Sequence, residues 1–399
     1  MVCVQRSVAI GVSTAILLLS IGLVARGDDA AKTAAAAKSA KNSAASPAKS
    51  EPHLSPEMTA LRDQVRQQLA AGQKLTFNTR QNSATEILGV CLAFGCNSEV
   101  SLEGPDGTRL NGITCLCWDY PCQGFELMGF YKNHVAARIG YGYQEQPGEF
   151  LAMLAMSRVS EKYPIRVGGK AYKVADVVEA EKLGCRSGSD LSLKLIGLSH
   201  YVAEPEWKND LGETWSIERM IDDQLDQPSA AAANGGLNRL LGIGYAVARR
   251  AKGSRPIEAP FLRAQKYITQ CQEFALRQQN GDGSWGPYFF AARNYGDAAP
   301  SDLRSTGYVL EWLALSLPEA KLTDPRMLSG VESALRLVGS QRYQWNAPSL
   351  STQEIVSLGH ALHALAIYDQ RAFAPFDADE KPAEKQPATA GRSEDSQSR

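Results

Sequence analysis

The chain has 399 residues, 44% of them hydrophobic, with 34 glycines, 8 cysteines and a formal net charge of -1. A balance so close to zero argues against the concentrated basic face that a phosphate backbone demands, so no nucleic acid is expected as partner. With its two low-complexity ends set aside, about 320 residues remain, enough to bury a large core as one domain.

Arg6, then Val8 to Val24 without a charge, then Ala25-Arg26-Gly27 has the layout of a secretory signal peptide over 1–27. The apolar run is short for a bilayer span, and an uncleaved membrane anchor is the alternative. Either reading predicts an exported chain in the periplasm, cell envelope or medium. Residues 28–56 are Ala, Lys and Ser, and residues 375–399 are rich in Pro, Glu, Lys and Ser; both are predicted to be disordered. Lys32, Lys38, Lys41 and Lys49 read as a solvated linker, with contact to an anionic membrane or wall polymer as the alternative.

Residues 57–146 are expected to be a helical lead-in followed by a Cys-rich β segment. Met58, Leu61, Val65 and Leu69 fall at helical spacing behind Ser55-Pro56, and Gly72 supplies a stop. Glu99 to Tyr143 contains alternating or β-branched stretches, GITCLCW among them, separated by Pro105-Asp106-Gly107, Asn111-Gly112 and Lys132-Asn133. This pattern predicts a small antiparallel sheet. Five cysteines crowd into Cys91 to Cys122 without the double pair of a zinc site, so no metal is expected. In an oxidising compartment disulfides are the expected use. Cys117 and Cys122, flanking Trp118-Asp119-Tyr120-Pro121, form the candidate bridge, with reduced thiols or a Cys115 partner for Cys122 as alternatives. Cys185 and Cys271 are expected to pack as small hydrophobes.

From 147 to 374 apolar runs alternate with amphipathic ones. A glycine recurs in the apolar runs at Gly148, Gly197, Gly242, Gly307 and Gly359, at intervals of 49, 45, 65 and 52 residues. Stacked helical hairpins produce such intervals, and the long one holds an extra loop at Pro287 to Asp302. Between these runs, Val174-Val177-Val178, Ile217-Met220-Ile221-Leu225 and Leu328-Val331-Leu335-Val338 give one-sided helices. Phe261 to Gln278 reads as a further helix, closed by Gln279-Asn280-Gly281-Asp282-Gly283-Ser284-Trp285. Asn, Gly and Asp make that a tight turn, over which Trp285 can pack while Gln279 caps exposed backbone groups. The pattern Phe274, Ala275, Gln279, Gly283, Trp285 resembles the QW repeat of α/α toroids of the terpene cyclase and prenyltransferase type. That resemblance implies a mainly α fold: an α/α toroid of about five helical hairpins, one-sided helices outside and helices apolar all round inside.

A second resemblance is to exported bacterial proteins of unknown function with a prenyltransferase-like helical domain. It rests on CWDYPC (117–122), ARIGYGYQ (137–144), DLSLKLIGLSHY (190–201), KNDLGETWSIERMI (208–221), GGLNRL (235–240), TGYVLEWLALSLP (307–318) and GHALHALAIYD (359–369), and covers most of 85–373. Members of that group tend to read GGTHRL and TTGHILEWL, placing His where this chain has Asn238 and Tyr308. The reaction signatures of better-known toroids are absent. There is no DxDD acid, Asp222-Asp223 lying on an amphipathic segment, and neither an Asp, Cys and His zinc set nor a GCGEQ thioester. No cofactor is expected.

The candidate site residues are therefore the polar ones near the starts of apolar helices: Asn238, Arg239, Tyr308, Glu311 and His360. Each has a structural reading beside it, with Arg239 and Glu311 as an ion pair and Tyr308 and His360 as core. Two function classes stand open. One is a non-catalytic module binding a glycan, a lipid or a cell-envelope protein; the other is a cavity enzyme, for instance a polysaccharide lyase, acting on a glycan or lipid. A wide cavity lined by Trp or Tyr favours a glycan, and a closed apolar one an isoprenoid or lipid.

Overall fold

The computed structural model describes residues 54–227, 233–253, 256–257, 259–287, 302–340 and 350–373. The signal or anchor segment, nearly all of the Ala/Lys linker, most of the 287–302 loop and the C-terminal tail lie outside these. The described residues are mainly helical, with twelve α-helices and four small sheets.

Sequence signals account for where the helices start. α1 (Pro56–Gly72) begins behind Ser55, whose hydroxyl accepts the Met58 amide, with proline in the first turn. Ser83 does the same for α2 (Ala84–Phe94), which is buried along nearly its whole length. α3 (Gly112–Cys117) corrects a strand expectation. Its apolar residues look β-like, but Asn111 accepts the Thr114 amide and so caps a helix rather than turning a hairpin. The other helices are α4 (Glu149–Met156), α5 (Val174–Leu183), α6 (Ser192–Tyr201), α7 (Ile217–Asp226), α8 (Leu237–Lys252), α9 (Ala259–Arg277), α10 (Leu303–Ser316), α11 (Pro325–Val338) and α12 (Thr352–Ala372).

The β structure is divided rather than one sheet. β1 (Phe77–Asn78) runs parallel to β2 (Glu99–Ser101), which pairs antiparallel with β3 (Arg109–Asn111). β4 (Met128–Tyr131) and β5 (His134–Ala137) form a hairpin turned by Lys132 and Asn133, both at positive φ. Two more hairpins lie among the later helices: β6 (Pro164–Val167) with β7 (Lys170–Lys173), and β8 (Trp207–Lys208) with β9 (Thr214–Trp215).

Packing follows a regular order. α2 lies against α4, α4 against α6, α6 against α8, α8 against α10 and α10 against α12, and α12 returns to α2. The odd-numbered helices flank this series, α7 on α9 and α8, α9 on α8 and α10, and α11 on α10, α12 and α1. α4 and α10 bury almost every residue, whereas α7 buries one stripe, Ile217, Met220, Ile221 and Gln224. The recurrent glycines mark close approaches. A Cβ on Gly359 would stand 2.5 Å from the Gly89 carbonyl oxygen, and one on Gly242 2.2 Å from that of Ser192, so these helices touch backbone to backbone. Because α1 and α2 pack on α12, the expected lead-in shares the core of the later helices; Arg66 bonds Asp369 at 2.9 Å and Thr352 bonds Glu86 at 2.6 Å.

At the end of α9 Trp285 is fully buried and its indole N–H donates to the Ala275 carbonyl at 2.8 Å, satisfying a helix-terminal acceptor. Gln279 donates to the Gly283 carbonyl at 2.9 Å and to that of Arg326 at 2.8 Å, tying the turn to the start of α11. Gly283 has φ +83°, and its Cα faces Ser329 so closely that no Cβ fits.

Candidate functional site

The site is assembled on facing turns of α10 and α12. Glu311, fully buried on α10, takes two hydrogen bonds from α12: from His360 Nδ1 at 2.7 Å and from His363 Nδ1 at 2.5 Å. Positions 360 and 363 share a helix face, which lets both rings reach one carboxylate. An ionised carboxylate only accepts, so both Nδ1 atoms carry the proton and a neutral His360 keeps its lone pair on Nε2. Burial by itself pushes the Glu311 carboxyl up, but the His360 charge and the two imidazole bonds outweigh it and hold the group at about 2. Tyr308, one turn earlier on α10, stacks on the His360 ring at 3.7 Å between centroids and 26° between planes. Burial, followed by the charge of Glu311, raises its phenol well above the ordinary range.

Glu149 approaches from the first turn of α4. Its carboxylate accepts the backbone amides of Glu145 at 2.7 Å and Gln146 at 3.1 Å. Burial nevertheless raises its carboxyl above the usual value, against those two bonds and the pull of His360. Glu149, His360, Tyr308 and Asn238 line one small cavity of about 40 Å³, whose remaining wall is mostly apolar, with Leu88, Leu92 and Met153. Through Glu145, Tyr308 and Val356 this cavity adjoins a wider cleft of about 490 Å³. The cleft is walled by Ser83, Thr85, Gln123, Tyr141, Arg304, Thr352, Gln353 and Ser357.

Of the residues singled out in the sequence, Asn238, Tyr308, Glu311 and His360 come together here. Arg239 does not. One residue along α8 from Asn238 is a rotation of about 100°, and its guanidinium donates to the Gln227 carbonyl at 2.9 Å, so the expected Arg239–Glu311 pair is replaced by the two histidines. Glu149, Glu145, His363 and Arg304 were not anticipated. His363 had a legible signal, lying three residues after His360 in GHALHAL. Glu149 had none, since its role depends on what faces α4.

The cysteine cluster holds reduced thiols, one of the alternatives to the Cys117–Cys122 bridge. The Cys122 thiol hydrogen-bonds with Cys115 and reaches the Tyr120 carbonyl at 3.4 Å, rather than joining Cys117. Helix α3 continues through Cys117, and Asp119 at φ +56° turns the chain back, bringing Cys122 against the preceding turn. Cys91 packs nearby, its thiol pushed up to about 12 by burial. Oxidation of the protein followed by peptide mapping without reductant is expected to link Cys115 to Cys122; a Cys117–Cys122 peptide would contradict this.

Among the described residues no group of three or more His, Cys, Asp or Glu is arranged to hold a metal ion, and no helix is long and apolar enough to cross a membrane. Comparison with family models, with curated proteins and with solved structures gives no match.

Proposed function

We propose that the helices form an α/α toroid of six hairpins, α2, α4, α6, α8, α10 and α12 making the inner ring, and that this exported protein binds a glycan in the cleft beside Tyr308. Support for the ring is the packing order of the even-numbered helices, which ends where it began. It holds one more inner helix than the glycine recurrence suggests, because α2 lies ahead of the first recurrent glycine.

The observation that carries the glycan reading is the cleft's lining. Its volume of about 490 Å³ lies within the few hundred to a thousand Å³ of ligand sites, whereas the smaller cavity of about 40 Å³ is far too small for an isoprenoid chain. Serine, threonine and glutamine side chains match sugar hydroxyls as donors and acceptors. Tyr141, 88% exposed at the rim, offers a ring face to the C–H side of a pyranose. An array of cell-wall oligosaccharides is the test. Binding is expected to weaken at least tenfold on Tyr141→Ala, and an array without a binder, or one indifferent to Tyr141, would overturn the reading.

A further inference from the structure

Resting on the glycan reading, we propose that the small cavity adjoining the cleft is a hydrolytic centre in which His360 deprotonates a water and Glu149 protonates the glycosidic oxygen of the bound chain.

Three observations converge. The His360 ring is fixed from two directions, its Nδ1 held by Glu311 and its face by Tyr308, which leaves Nε2 as the nitrogen that Glu311 does not hold, on a residue that lines the small cavity. Such orientation by a buried carboxylate sets the tautomer a base requires and stabilises the imidazolium that forms. Glu149 lines the same cavity, where burial raises its carboxyl, while the carboxyl of Glu311 is held low by the histidines despite its burial. Two carboxyls pushed in opposite directions beside one imidazole is the division of labour that acid–base chemistry needs. The cavity has the volume for one or a few waters, at ~10–15 Å³ each, and polar partners for them in Asn238, Glu149 and His360. It shares Glu145, Tyr308 and Val356 with the wall of the cleft, where a sugar would lie.

In the step, the water oxygen bonds to the anomeric carbon as Nε2 of His360 takes the water proton. The bond from that carbon to the glycosidic oxygen breaks, its electron pair stays on the oxygen, and the Glu149 proton neutralises it. Glu149 is left ionised and His360 protonated; transfer of the proton from the imidazolium to the carboxylate through water restores both. A single displacement inverts the anomeric configuration. In this assignment Glu311 and Tyr308 are positioning residues.

The test uses reducing-end-labelled oligosaccharides from the cell-wall array, with binding and release of shorter products measured on the same samples. The expected result is release by the wild type with the inverted anomer seen by NMR, and turnover at least 100-fold slower in both His360→Gln and Glu149→Gln. Dissociation constants should stay within about threefold of wild type, which also shows that the variants fold. If His360→Gln does not fold, Glu149→Gln decides. Binding by the wild type without product, turnover indifferent to either substitution, or a retained anomeric configuration would overturn the hydrolytic assignment while leaving the binding reading intact. Failure to bind any oligosaccharide would overturn both.

Discussion

Replacing Trp285 with alanine is expected to destabilise the protein by about 3–5 kcal/mol. The ring is fully buried, so its loss removes apolar contact and leaves a void. Gly330 packs against the ring edge so closely that an added Cβ would sit 2.8 Å from Cη2, and backbone on that side cannot fill the space without moving α11. The same change removes the indole donor to Ala275 and strips α9 of a partner at its C-terminal end. Trp285→Phe keeps most of the volume and drops only that bond, so a smaller loss of about 1–2 kcal/mol is expected. Denaturant titration measures both, as a lower midpoint at unchanged slope. A loss below 1 kcal/mol for the alanine variant would show that the turn does not depend on the ring.

Glu311→Ala carries the second large effect. Removing one partner of a buried hydrogen-bonded cluster costs about 3–5 kcal/mol, because the groups left behind stay buried without an acceptor. Here those groups are the Nδ1–H donors of His360 and His363. An acid titration separates this from simple loss of packing. The carboxyl ordinarily titrates at 4.5 and is held at about 2 when folded, so its contribution is complete above 4.5 and lost as pH falls through about 2. At ~1.36 kcal/mol per pH unit the contribution is roughly 3 kcal/mol. The gap in stability between wild type and Glu311→Gln should therefore narrow as pH falls below 4.5. A gap constant down to pH 2 would mean that the ionised carboxylate is not what stabilises the cluster.

Much of the helical order was legible because its signals are local. Ser55-Pro56 and Asp324-Pro325 are caps that act within one turn, and the apolar periodicity behind them is realised in α1 and α11. What failed depends on competition between local signals. Asn111-Gly112 is equally good as a hairpin turn and as a helix start, and only the Asn111 to Thr114 bond decides between them. The Gly168-Gly169 turn of β6 and β7 is a local hairpin signal masked by the helical stretches on either side of it. In the candidate site, Tyr308 and Glu311 are legible as candidates because polar residues stand out in an apolar run. The places of Glu149 and Arg239 are not legible in the sequence, since which side of a buried helix faces a cavity is settled by neighbours far away in the chain.

The contact between α2 and α12 bears on how the molecule is made. Thr352 and Glu86, which bond across it, lie 266 positions apart. At a synthesis rate of ~5–20 residues per second, α2 waits on the order of ten to fifty seconds for its partner. During that time a helix buried on almost every face in the finished protein has no complete surface to cover it. A truncation removing only α12 would therefore uncover α2, at the other end of the described helices, as well as the new terminus.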